Sequence, residues 1–424
     1  MSRRRVVILG AGGRDFHDFN VALRHDPDTE VVAFTAAQIP GIAGRRYPPS
    51  LAGPHHPDGI PIVAEDELPR LITDEAIDVV YLSYSDLAHV DVMHKASIVL
   101  AAGADFGLIG PRRTMLQSTK PVVAVSAART GSGKSQTSRW VGSMLRDAGL
   151  AVSLMRHPMP YGHLESMRLQ RFETLADIDA SNPTIEEREE YEAPVRAGLL
   201  MWAGVDYEEI LQAAEAESDV IVWDGGNNDA PFLRPNLLIT VLDALRPGHE
   251  MAYHPGEANL RMADVVVVNK VDQADPADIA AVEASVAAVN PDAEVIHTAS
   301  PVRLEPGPDV AGKRVLVVED GPTTTHGGMA WGAGTVAARA AGVAELVDPR
   351  PHAVGSIVDA FAEYPHIGPV LPAMGYGAEQ LAELAETIRR VPCDVVITGT
   401  PIDLAHVLEV GHPIRHATYG SEQV

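Results

Sequence analysis

The sequence predicts an α/β protein whose chain is divided into three blocks. Short runs rich in Val and Ile recur along the chain with amphipathic helical stretches between them, which is the pattern of parallel α/β units. The chain has 424 residues, more than one ordinary hydrophobic core accommodates. We therefore expect a Rossmann-like N-terminal domain over 1–118, a central domain over 119–308 and a smaller C-terminal α/β domain over 309–424.

The N-terminal block alternates strands and helices. Its predicted strands are 6–9, 31–34, 79–82 and 106–110, and its predicted helices are 15–25 and 86–102. The first turn, Gly10-Ala-Gly-Gly13, resembles a dinucleotide fingerprint, but Asp15 stands where a third glycine is expected, which argues against an NAD site. We expect a helix N-terminus that receives an anion, with Arg14 and His17 as added donors; a tight turn without a ligand is the alternative.

The central block opens with a phosphate-binding motif. The strand 122–126 runs into Ala128-Arg-Thr-Gly-Ser-Gly-Lys-Ser135 and then a helix, which is the Walker A pattern in its usual context. We expect Lys134 to bridge the terminal phosphates and the Ser135 hydroxyl to ligate Mg²⁺. The central block is therefore predicted to be a P-loop NTPase domain; a glycine-rich turn without phosphate is the alternative. The residues expected to bind the nucleotide here are Thr130, Gly131, Ser132, Gly133, Lys134, Ser135 and Gln136.

A second acidic motif supports the first. The apolar run Val220-Ile-Val-Trp-Asp224 is a predicted strand that ends in a carboxylate, followed by Gly225-Gly-Asn-Asn-Asp229. In a P-loop protein the acid at this place is the Walker B residue, which holds Mg²⁺ directly or through water. We expect Ser135 and Asp224 to be the metal-binding residues.

A third motif is of the kind that contacts the nucleotide base. The strand 265–268 runs into Asn269-Lys270-Val-Asp272, which matches the Asn-Lys-x-Asp signature of GTP-binding proteins. In that signature the carboxylate accepts hydrogen bonds from guanine while the lysine stem packs on the base. We therefore expect Asn269, Lys270 and Asp272 to contact the nucleotide base.

Cationic residues between the two Walker motifs predict a phosphorylated substrate. Arg156 and His157 end a predicted strand over 151–155, the edge where ligands sit in open α/β sheets, and Arg171 follows. Together with Arg129 they offer donors to a small anionic substrate. The acidic stretch that contains Glu186 is either part of the site or a solvated helix face, and His157 is either catalytic or a turn-capping histidine.

The composition excludes several classes of protein. The 33 basic and 58 acidic residues give a formal charge of 33 − 58 = −25, which repels nucleic acid and anionic membranes. The sequence contains no apolar run long enough to cross a bilayer and no signal-peptide pattern, so we expect a cytoplasmic protein. Cys393 is the only cysteine, which excludes a disulfide framework within one chain. The scarcity of lysine fits either a salt-rich cytosol or a GC-rich genome.

Taken together, these motifs resemble the cyclic 2,3-diphosphoglycerate synthetase family. The match rests on the glycine turn at 10–13, the Walker A loop, Arg156-His-Pro-Met-Pro-Tyr-Gly162, Thr184-Ile-Glu-Glu-Arg188, Asp224-Gly-Gly-Asn-Asn-Asp229 and Asn269-Lys-Val-Asp272. The resemblance implies ATP-dependent closure of 2,3-diphosphoglycerate into a cyclic phosphoanhydride, with Mg²⁺. It implies that the catalytic residues are Lys134, Arg129, Arg156 and His157, and that the substrate-binding residues include Arg14, His17, Arg171 and Glu186.

Two functional alternatives stay open from the residues alone. The Asn-Lys-x-Asp motif favours a regulatory GTPase or a nucleotide-dependent chaperone, and it leaves GTP open as the nucleotide in place of ATP. An NAD enzyme built on the first block is disfavoured by Asp15. We also expect a possible homodimer, since chains of this kind often pair across an apolar face.

Overall fold

The computed structural model describes residues 3–37, 42–156, 162–226, 229–325, 327–374, 378–400, 404 and 410–424. The chain forms two compact units. Unit 1 contains Met1–Glu173, Leu199–Val268 and Asp275–Ile296, and unit 2 contains Thr174–Gly198, Asn269–Ala274 and His297–Val424. The domain boundaries near 118 and 308 stay predictions, while the predicted α/β class with several sheets is confirmed.

The strands of the described residues are short. In chain order they are β1 (Arg4–Leu9), β2 (Thr29–Ala36), β3 (Arg46–Tyr47), β4 (Ile60–Ala64), β5 (Val79–Leu82), β6 (Leu87–Ala88), β7 (Asp105–Leu108), β8 (Val122–Ala127), β9 (Val152–Arg156), β10 (Gln170–Phe172), β11 (Leu200–Ala203), β12 (Val220–Asp224), β13 (Leu237–Asp243), β14 (Tyr253–His254), β15 (Val265–Asn269), β16 (Glu294–Ala299), β17 (Val302–Leu304), β18 (Arg314–Asp320), β19 (Glu345–Leu346), β20 (Leu371–Ala373), β21 (Val395–Gly399), β22 (Ile414–Tyr419) and β23 (Glu422–Gln423).

The helices alternate with these strands. They are α1 (Arg14–Asp18), α2 (Pro49–Ala52), α3 (Leu68–Asp74), α4 (His89–Ala102), α5 (Lys134–Asp147), α6 (Leu175–Ser181), α7 (Ile185–Arg196), α8 (Tyr207–Glu217), α9 (Gly256–Met262), α10 (Pro276–Val289), α11 (Gly321–Thr324), α12 (Ala333–Ala340), α13 (Ser356–Glu363) and α14 (Ala378–Arg390). Among the described helices, none combines the length and the apolarity that crossing a bilayer requires.

The first sheet of unit 1 has the strand order β3-β4-β2-β1-β5-β7. β1 lies parallel to β2 and β5, and β5 lies parallel to β7, so their carboxyl ends share one edge. An aromatic cluster that includes Phe16, Phe19, Phe34 and Tyr47 fills one face. The helix expected over 15–25 is shorter, because α1 gives way to a single π-helical turn over Phe19–Leu23.

The second sheet of unit 1 carries the Walker motifs. Its strands follow the order β10-β11-β9-β12-β8-β13-β15-β16, and β8 lies parallel between β12 and β13. Trp202, Trp223 and Phe232 lie in the core beneath this sheet. β14, which follows β13, pairs antiparallel with β6, which follows β5. The segments after β5 and after β13 are therefore joined by backbone hydrogen bonds.

Unit 2 is built on a separate sheet. Its order is β17-β22-β21-β18-β19, with β20 parallel beside β18. Buried Glu319 of β18 accepts hydrogen bonds from the backbone N–H groups of Gly334 and Thr335, which fixes the start of α12. Residues Thr298 and Ala299 at the end of β16 pair antiparallel with β23.

Candidate functional site

The Walker A segment forms a glycine turn between a buried strand and a helix. β8 ends at Ala127 and α5 begins at Lys134, as the sequence predicts. Gly131 and Gly133 have φ angles of 79° and 108°, which only glycine adopts without strain. Helix α9 also needs a glycine to approach the loop closely, because a Cβ at Gly256 would lie 2.3 Å from the Ala128 carbonyl oxygen. The loop thus has the backbone shape that a phosphate cradle needs.

Lys134 and Arg156 share one carboxylate. Lys134 Nζ contacts Asp224 Oδ1, and Arg156 Nη1 donates to Asp224 Oδ2 at 2.9 Å. Burial acts to raise the pKa of Asp224, but Lys134 and Arg156 outweigh burial and lower it. Asp224 is therefore ionised at neutral pH. The same Arg156 nitrogen lies 3.3 Å from Ser135 Oγ, so the two residues expected to bind the metal lie close together.

These oxygens suit a hard divalent cation. Ser135 and Asp224 supply a hydroxyl and a carboxylate, and phosphate oxygens complete the ligands of Mg²⁺ in P-loop proteins. Among the residues described, no group of three or more His, Cys, Asp or Glu side chains is arranged to hold a metal ion. A metal at this loop would thus depend on Ser135, Asp224 and the nucleotide itself.

Arg129 is held from three sides. Its Nε donates to Asp86 Oδ1 at 2.7 Å, and its Nη1 lies 3.0 Å from His249 Nδ1. Its guanidinium carbon lies 3.6 Å from the centroid of the Tyr253 ring, which is a cation–π contact. Burial, and then the charges of Arg129 and Arg246, lower the pKa of His249. His249 is therefore neutral and can accept the hydrogen bond from Arg129.

Arg246 braces the backbone of the same loop. Its Nη2 donates to the Thr130 carbonyl oxygen at 2.7 Å and to Ser132 Oγ at 3.4 Å. Its Nε donates to Asp243 Oδ2 at 2.9 Å at the end of β13. The residues of the Walker A segment that are expected to bind the nucleotide thus form one turn that runs into α5, with Lys134, Ser135 and Gln136 in the first turn of that helix. That they bind it stays a prediction.

Asp86, His249 and Tyr253 are site residues that the sequence interpretation missed. Asp86 precedes Arg129 by 43 residues, and His249 follows it by 120. One signal pointed to His249: it ends a polar segment, Asp243 to His249, just after a strand whose carboxyl end faces the loop. Asp86 carries no such pattern, and its φ of 59° is visible only in the structure.

The N-terminal glycine turn differs from its prediction. The Asp15 carboxylate accepts hydrogen bonds from the backbone N–H groups of Gly12 at 2.9 Å, Gly13 at 3.1 Å and Phe16 at 2.7 Å. These are the donors that a bound phosphate would need, so the expectation of an anion-receiving turn is wrong. Asp15, which stands in place of the third glycine, supplies the negative charge at this turn through its own carboxylate.

Arg14 and His17 lie in buried contacts within unit 1. Arg14 Nη1 donates to the Ala230 carbonyl oxygen at 3.1 Å, and its Nε lies 3.5 Å from Asp18 Oδ2. The His17 ring stacks on Phe232 with ring centroids 4.0 Å apart, and its Nε2 lies 2.7 Å from the Thr114 carbonyl oxygen. These contacts hold α1 against the segment after β12. A substrate role for the two residues stays a prediction.

Three further predicted site residues are Arg171 and Glu186, expected to bind the substrate, and His157, expected to be catalytic. Arg171 lies on the edge strand β10 and pairs with Glu217 at 2.7 Å and Glu173 at 3.0 Å. Glu186 lies on α7, which opens with a capping box between Thr184 and Glu187, but the Glu186 side chain is outside the described residues. His157 also lies outside the described residues.

The Asn-Lys-x-Asp segment belongs to unit 2. The Asn269 Oδ1 atom accepts from the Thr298 hydroxyl at 2.8 Å, and Asp272 Oδ1 accepts from the Ser300 backbone N–H at 2.9 Å. Lys270 has a φ of 63°, a left-handed conformation that turns the chain sharply after β15. The motif is thus tied to the 298–300 segment, and its contact with a base stays a prediction.

Comparison with known proteins finds a relative that matches along the whole chain. The chain is 56% identical over 422 residues to arginine synthetase ArcE of Thermococcus kodakarensis, covering 100% of this chain and 94% of that protein. Residues 214–297 match the CobW/HypB/UreG nucleotide-binding domain. The hydrogenase maturation factor HypB of Archaeoglobus fulgidus is 17% identical, with a TM-score of 0.28, over 42% of this chain and 80% of that one.

The expected membership in the cyclic 2,3-diphosphoglycerate synthetase family is wrong. The cyclic 2,3-diphosphoglycerate synthetase of Thermococcus sibiricus is 26% identical over only 113 residues, 27% of this chain and 26% of that protein. The reaction inferred from that family falls with it, and the regulatory GTPase alternative gains no support over a synthetase. The resemblance rested on phosphate-binding motifs that proteins with different substrates share. With a match along its whole length, the chain belongs to the family of arginine synthetase ArcE.

Proposed function

We propose that this protein is an arginine synthetase that couples nucleoside triphosphate hydrolysis to the formation of arginine. The observation that carries this proposal is the 56% identity to arginine synthetase ArcE over 422 residues. The matched nucleotide-binding segment at 214–297 and the Walker A turn are consistent with a reaction driven by a nucleotide.

The chemistry of the product suggests how the nucleotide is used. The guanidinium carbon of arginine carries three nitrogens, so joining an amine to a ureido precursor must remove one oxygen from that carbon. Transfer of the γ-phosphoryl group to this oxygen makes it a leaving group, and attack by the amine nitrogen releases it as inorganic phosphate. The reaction then consumes one nucleoside triphosphate and yields the diphosphate and phosphate.

The side chains around the loop suit this phosphoryl transfer. Phosphoryl transfer is catalysed mainly by positioning and by neutralising charge on the phosphate oxygens. We assign Lys134, Arg129 and Arg156 to this task, since all three are buried beside the glycine turn. Mg²⁺ held by Ser135 and Asp224 would neutralise further charge. ATP is the proposed nucleotide, with GTP retained because of Asn269, Lys270 and Asp272.

The test runs the reaction in both directions. In reverse, purified protein is given arginine, phosphate, Mg²⁺ and ADP or GDP, and arginine loss is measured by mass spectrometry. In the forward direction it is given citrulline, the ureido counterpart of arginine, with ammonium and ATP or GTP. We expect arginine to be consumed in the first assay. In the second assay we expect arginine to be formed, with one phosphate released per arginine.

Two lysine variants sharpen the assay. Lys134→Ala removes the ammonium that we assign to the phosphates, and we expect at least a 100-fold loss of rate, roughly 3 kcal/mol of transition-state stabilisation. Lys313→Ala removes an exposed lysine of unit 2 and is expected to leave the rate unchanged. The proposal fails if the wild-type protein binds a nucleotide but changes arginine in neither direction.

A further inference from the structure

The first sheet of unit 1 borders a cavity whose described lining residues lie outside the Walker A loop. The cavity has a volume of about 410 Å³, and its walls come from the segment after β1, from β3 and β4, and from the segment after β9. These lining residues all belong to Met1–Glu173 of unit 1. Cavities of this size commonly hold small organic ligands. We call this cavity the β4 pocket; its lining includes Phe16, Ile42, Arg45, Arg46, Ile62 and Glu165.

The floor of the β4 pocket is apolar. Phe16, Ile42 and Ile62 line it, and all three are buried members of the core of the first sheet. Such a floor favours a ligand with methylene groups, because covering it removes apolar surface from water. It disfavours a ligand that is charged along its whole length, since a charge placed on apolar side chains loses its hydration.

Two successive arginines stand at the rim of the pocket. Arg46 Nε donates to the Asp58 carbonyl oxygen at 3.0 Å, and its Nη2 donates to the Gly59 carbonyl oxygen at 3.3 Å. These acceptors are uncharged, and among the described residues no carboxylate forms an ion pair with Arg46. Arg45 Nη1 lies 3.5 Å from the carbonyl oxygen of Gly162, which lines the pocket too. The guanidinium of Arg46 is therefore held in place while its charge is left for an anionic ligand.

A carboxylate shares the rim with these arginines. Glu165 Oε1 accepts a hydrogen bond from the Ser50 hydroxyl, which holds the carboxylate at the pocket. A ligand that carries only negative charge, such as a phosphate ester, would be repelled by Glu165. An α-amino acid carries the complementary pair of charges. Its carboxylate matches the fork of donors on a guanidinium, and its ammonium donates to a carboxylate.

The wall formed by the segment after β9 begins at the Walker site. Arg156, the last residue of β9, donates to Asp224 at 2.9 Å. Gly162 of the pocket wall follows Arg156 by six residues, so at most about 21 Å of chain separates them. Ligands of open α/β sheets bind at the carboxyl ends of the strands, and both β1 and β9 lead into the pocket from those ends. The pocket thus lies where a second substrate of the same reaction would bind.

We propose that the β4 pocket is the amino-acid subsite of this protein, an inference that rests on the proposed function. Arg45 and Arg46 bind the α-carboxylate of arginine and of its ureido precursor, and Glu165 binds the α-ammonium group. The apolar floor contacts the methylene chain. Recognition of the α-carbon end leaves the ureido end free for phosphoryl transfer.

Binding of arginine analogues tests the pocket without turnover. Calorimetric titrations contain ADP but no phosphate, so that arginine cannot react. They compare arginine with agmatine, which lacks the α-carboxylate, and with the analogue that lacks the α-amino group. We expect wild-type protein to bind each analogue about 10-fold more weakly than arginine, because each loses one charge-assisted hydrogen-bonded pair in the pocket.

Three variants assign the two ends of the ligand. Arg46→Ala is expected to weaken arginine binding about 10-fold and to leave agmatine binding unchanged, because agmatine has no carboxylate to bind. Glu165→Gln, which keeps the shape of the side chain, is expected to weaken arginine binding about 10-fold and to leave the analogue without the α-amino group unaffected. Arg4→Ala is the control, since it removes an exposed arginine at the amino end of β1, and we expect wild-type affinities.

The outcomes separate this inference from the proposed function. If wild-type protein converts arginine, but either folded variant of the pocket binds arginine like wild type, the amino-acid subsite lies elsewhere and the synthetase activity stands. If arginine binds through both residues but is converted in neither direction, the pocket stands and the proposed function fails. Wild-type protein that binds no arginine at millimolar concentration overturns the inference. Circular dichroism of each variant shows whether it is folded.

Discussion

Arg129 depends on a carboxylate that lies 43 residues before it in the chain. The ion pair between Arg129 and Asp86 has side chains only 5% and 9% exposed, so water screens it little. Asp86 also lies 3.4 Å from the Thr130 backbone N–H, which ties the carboxylate to the loop itself. We therefore regard Asp86 as a residue that positions Arg129, and Tyr253 and His249 as the groups that limit its remaining motion.

Substituting Asp86 tests this role. Asp86→Asn keeps an acceptor for Arg129 Nε but removes the charge, while Asp86→Ala removes both. We expect kcat to fall about 10-fold in the first variant and about 100-fold in the second, with a smaller change in the KM of the nucleotide, because a displaced Arg129 weakens the transition state more than the ground state. Steady-state kinetics with each nucleotide provide the measurement.

The matched control is a surface pair. Asp147 contacts Arg146 with side chains that are 68% and 39% exposed, and such pairs contribute little. Asp147→Asn is expected to keep both kcat and KM. Equal kcat values for wild type and Asp86→Ala would show that Arg129 needs no positioning by this carboxylate.

At the scale of elements, the Walker A loop is held by the helix that packs on it. α9 begins at Gly256, and its backbone lies so close to Ala128 that an added Cβ would be 2.3 Å from the carbonyl oxygen and 2.8 Å from Cα. Both atoms belong to backbone, which moves less readily than a flexible side chain. The end of β8 and the start of α9 therefore cannot both keep their places if residue 256 has a side chain.

Gly256→Ala is predicted to loosen the loop. We expect a loss of about 1–3 kcal/mol in the free energy of unfolding, the usual cost of overpacking, and a nucleotide affinity at least 10-fold weaker. Gly110→Ala is the control, since a Cβ at that position meets no atom within 4 Å. Denaturant melts and nucleotide titration measure the two effects. A Gly256→Ala variant with wild-type affinity would mean that the loop does not depend on this contact.

Elements with a strong local pattern could be predicted from the sequence. The strands Val79–Leu82 and Val220–Asp224 lie at the predicted residues, because uninterrupted apolar runs determine them locally. The π-helical turn at Phe19–Leu23 could not be predicted, since Phe19 packs against Phe34 of β2, which lies further along the chain.

The candidate site likewise contains residues that could be predicted from the sequence and residues that could not. The loop at 130–136 and Asp224 follow from contiguous motifs, whereas Asp86 reaches Arg129 only because β6 pairs with β14 and brings two distant segments together. The self-capping of the glycine turn was signalled by Asp15 itself. A short acid two residues after a glycine turn can take the amides of that turn, as Asx turns show.

At the scale of the whole molecule, an excess of 25 negative charges disfavours a compact state. Buried carboxyls add to this cost when they ionise. Burial raises the pKa of Asp229 to about 7 and that of Asp15 to about 6, against a usual 3.8. Burial, and then the charges of Arg14 and His89, lower the pKa of His254 to about 4 from 6.5.

The carboxyls and the histidine act in opposite directions between about pH 4 and 7. The folded state keeps protons on Asp229 and Asp15 that the unfolded chain has released, so their stabilising effect is present in acid and lost as the pH rises through 6 to 7. The unfolded state takes up a proton on His254 first, which lowers stability as the pH falls from 6.5 to about 4. The pKa shifts of the two carboxyls together exceed the opposing shift of His254. His249, whose pKa is also lowered, acts in the same direction as His254.

We therefore expect the protein to be more stable near pH 5 than near pH 8, and Asp229→Asn to remove much of the difference. The pKa shift of Asp229 corresponds to roughly 4 kcal/mol at most, so the variant is expected to gain about 1–4 kcal/mol at about pH 8 and roughly a third of that gain at about pH 5. Denaturant unfolding at the two pH values measures it, with Asp147→Asn as the exposed control. If Asp229→Asn is no more stable than the wild type at about pH 8, ionisation of Asp229 does not destabilise the folded state. Any greater stability near pH 5 would then come from the surface charge alone.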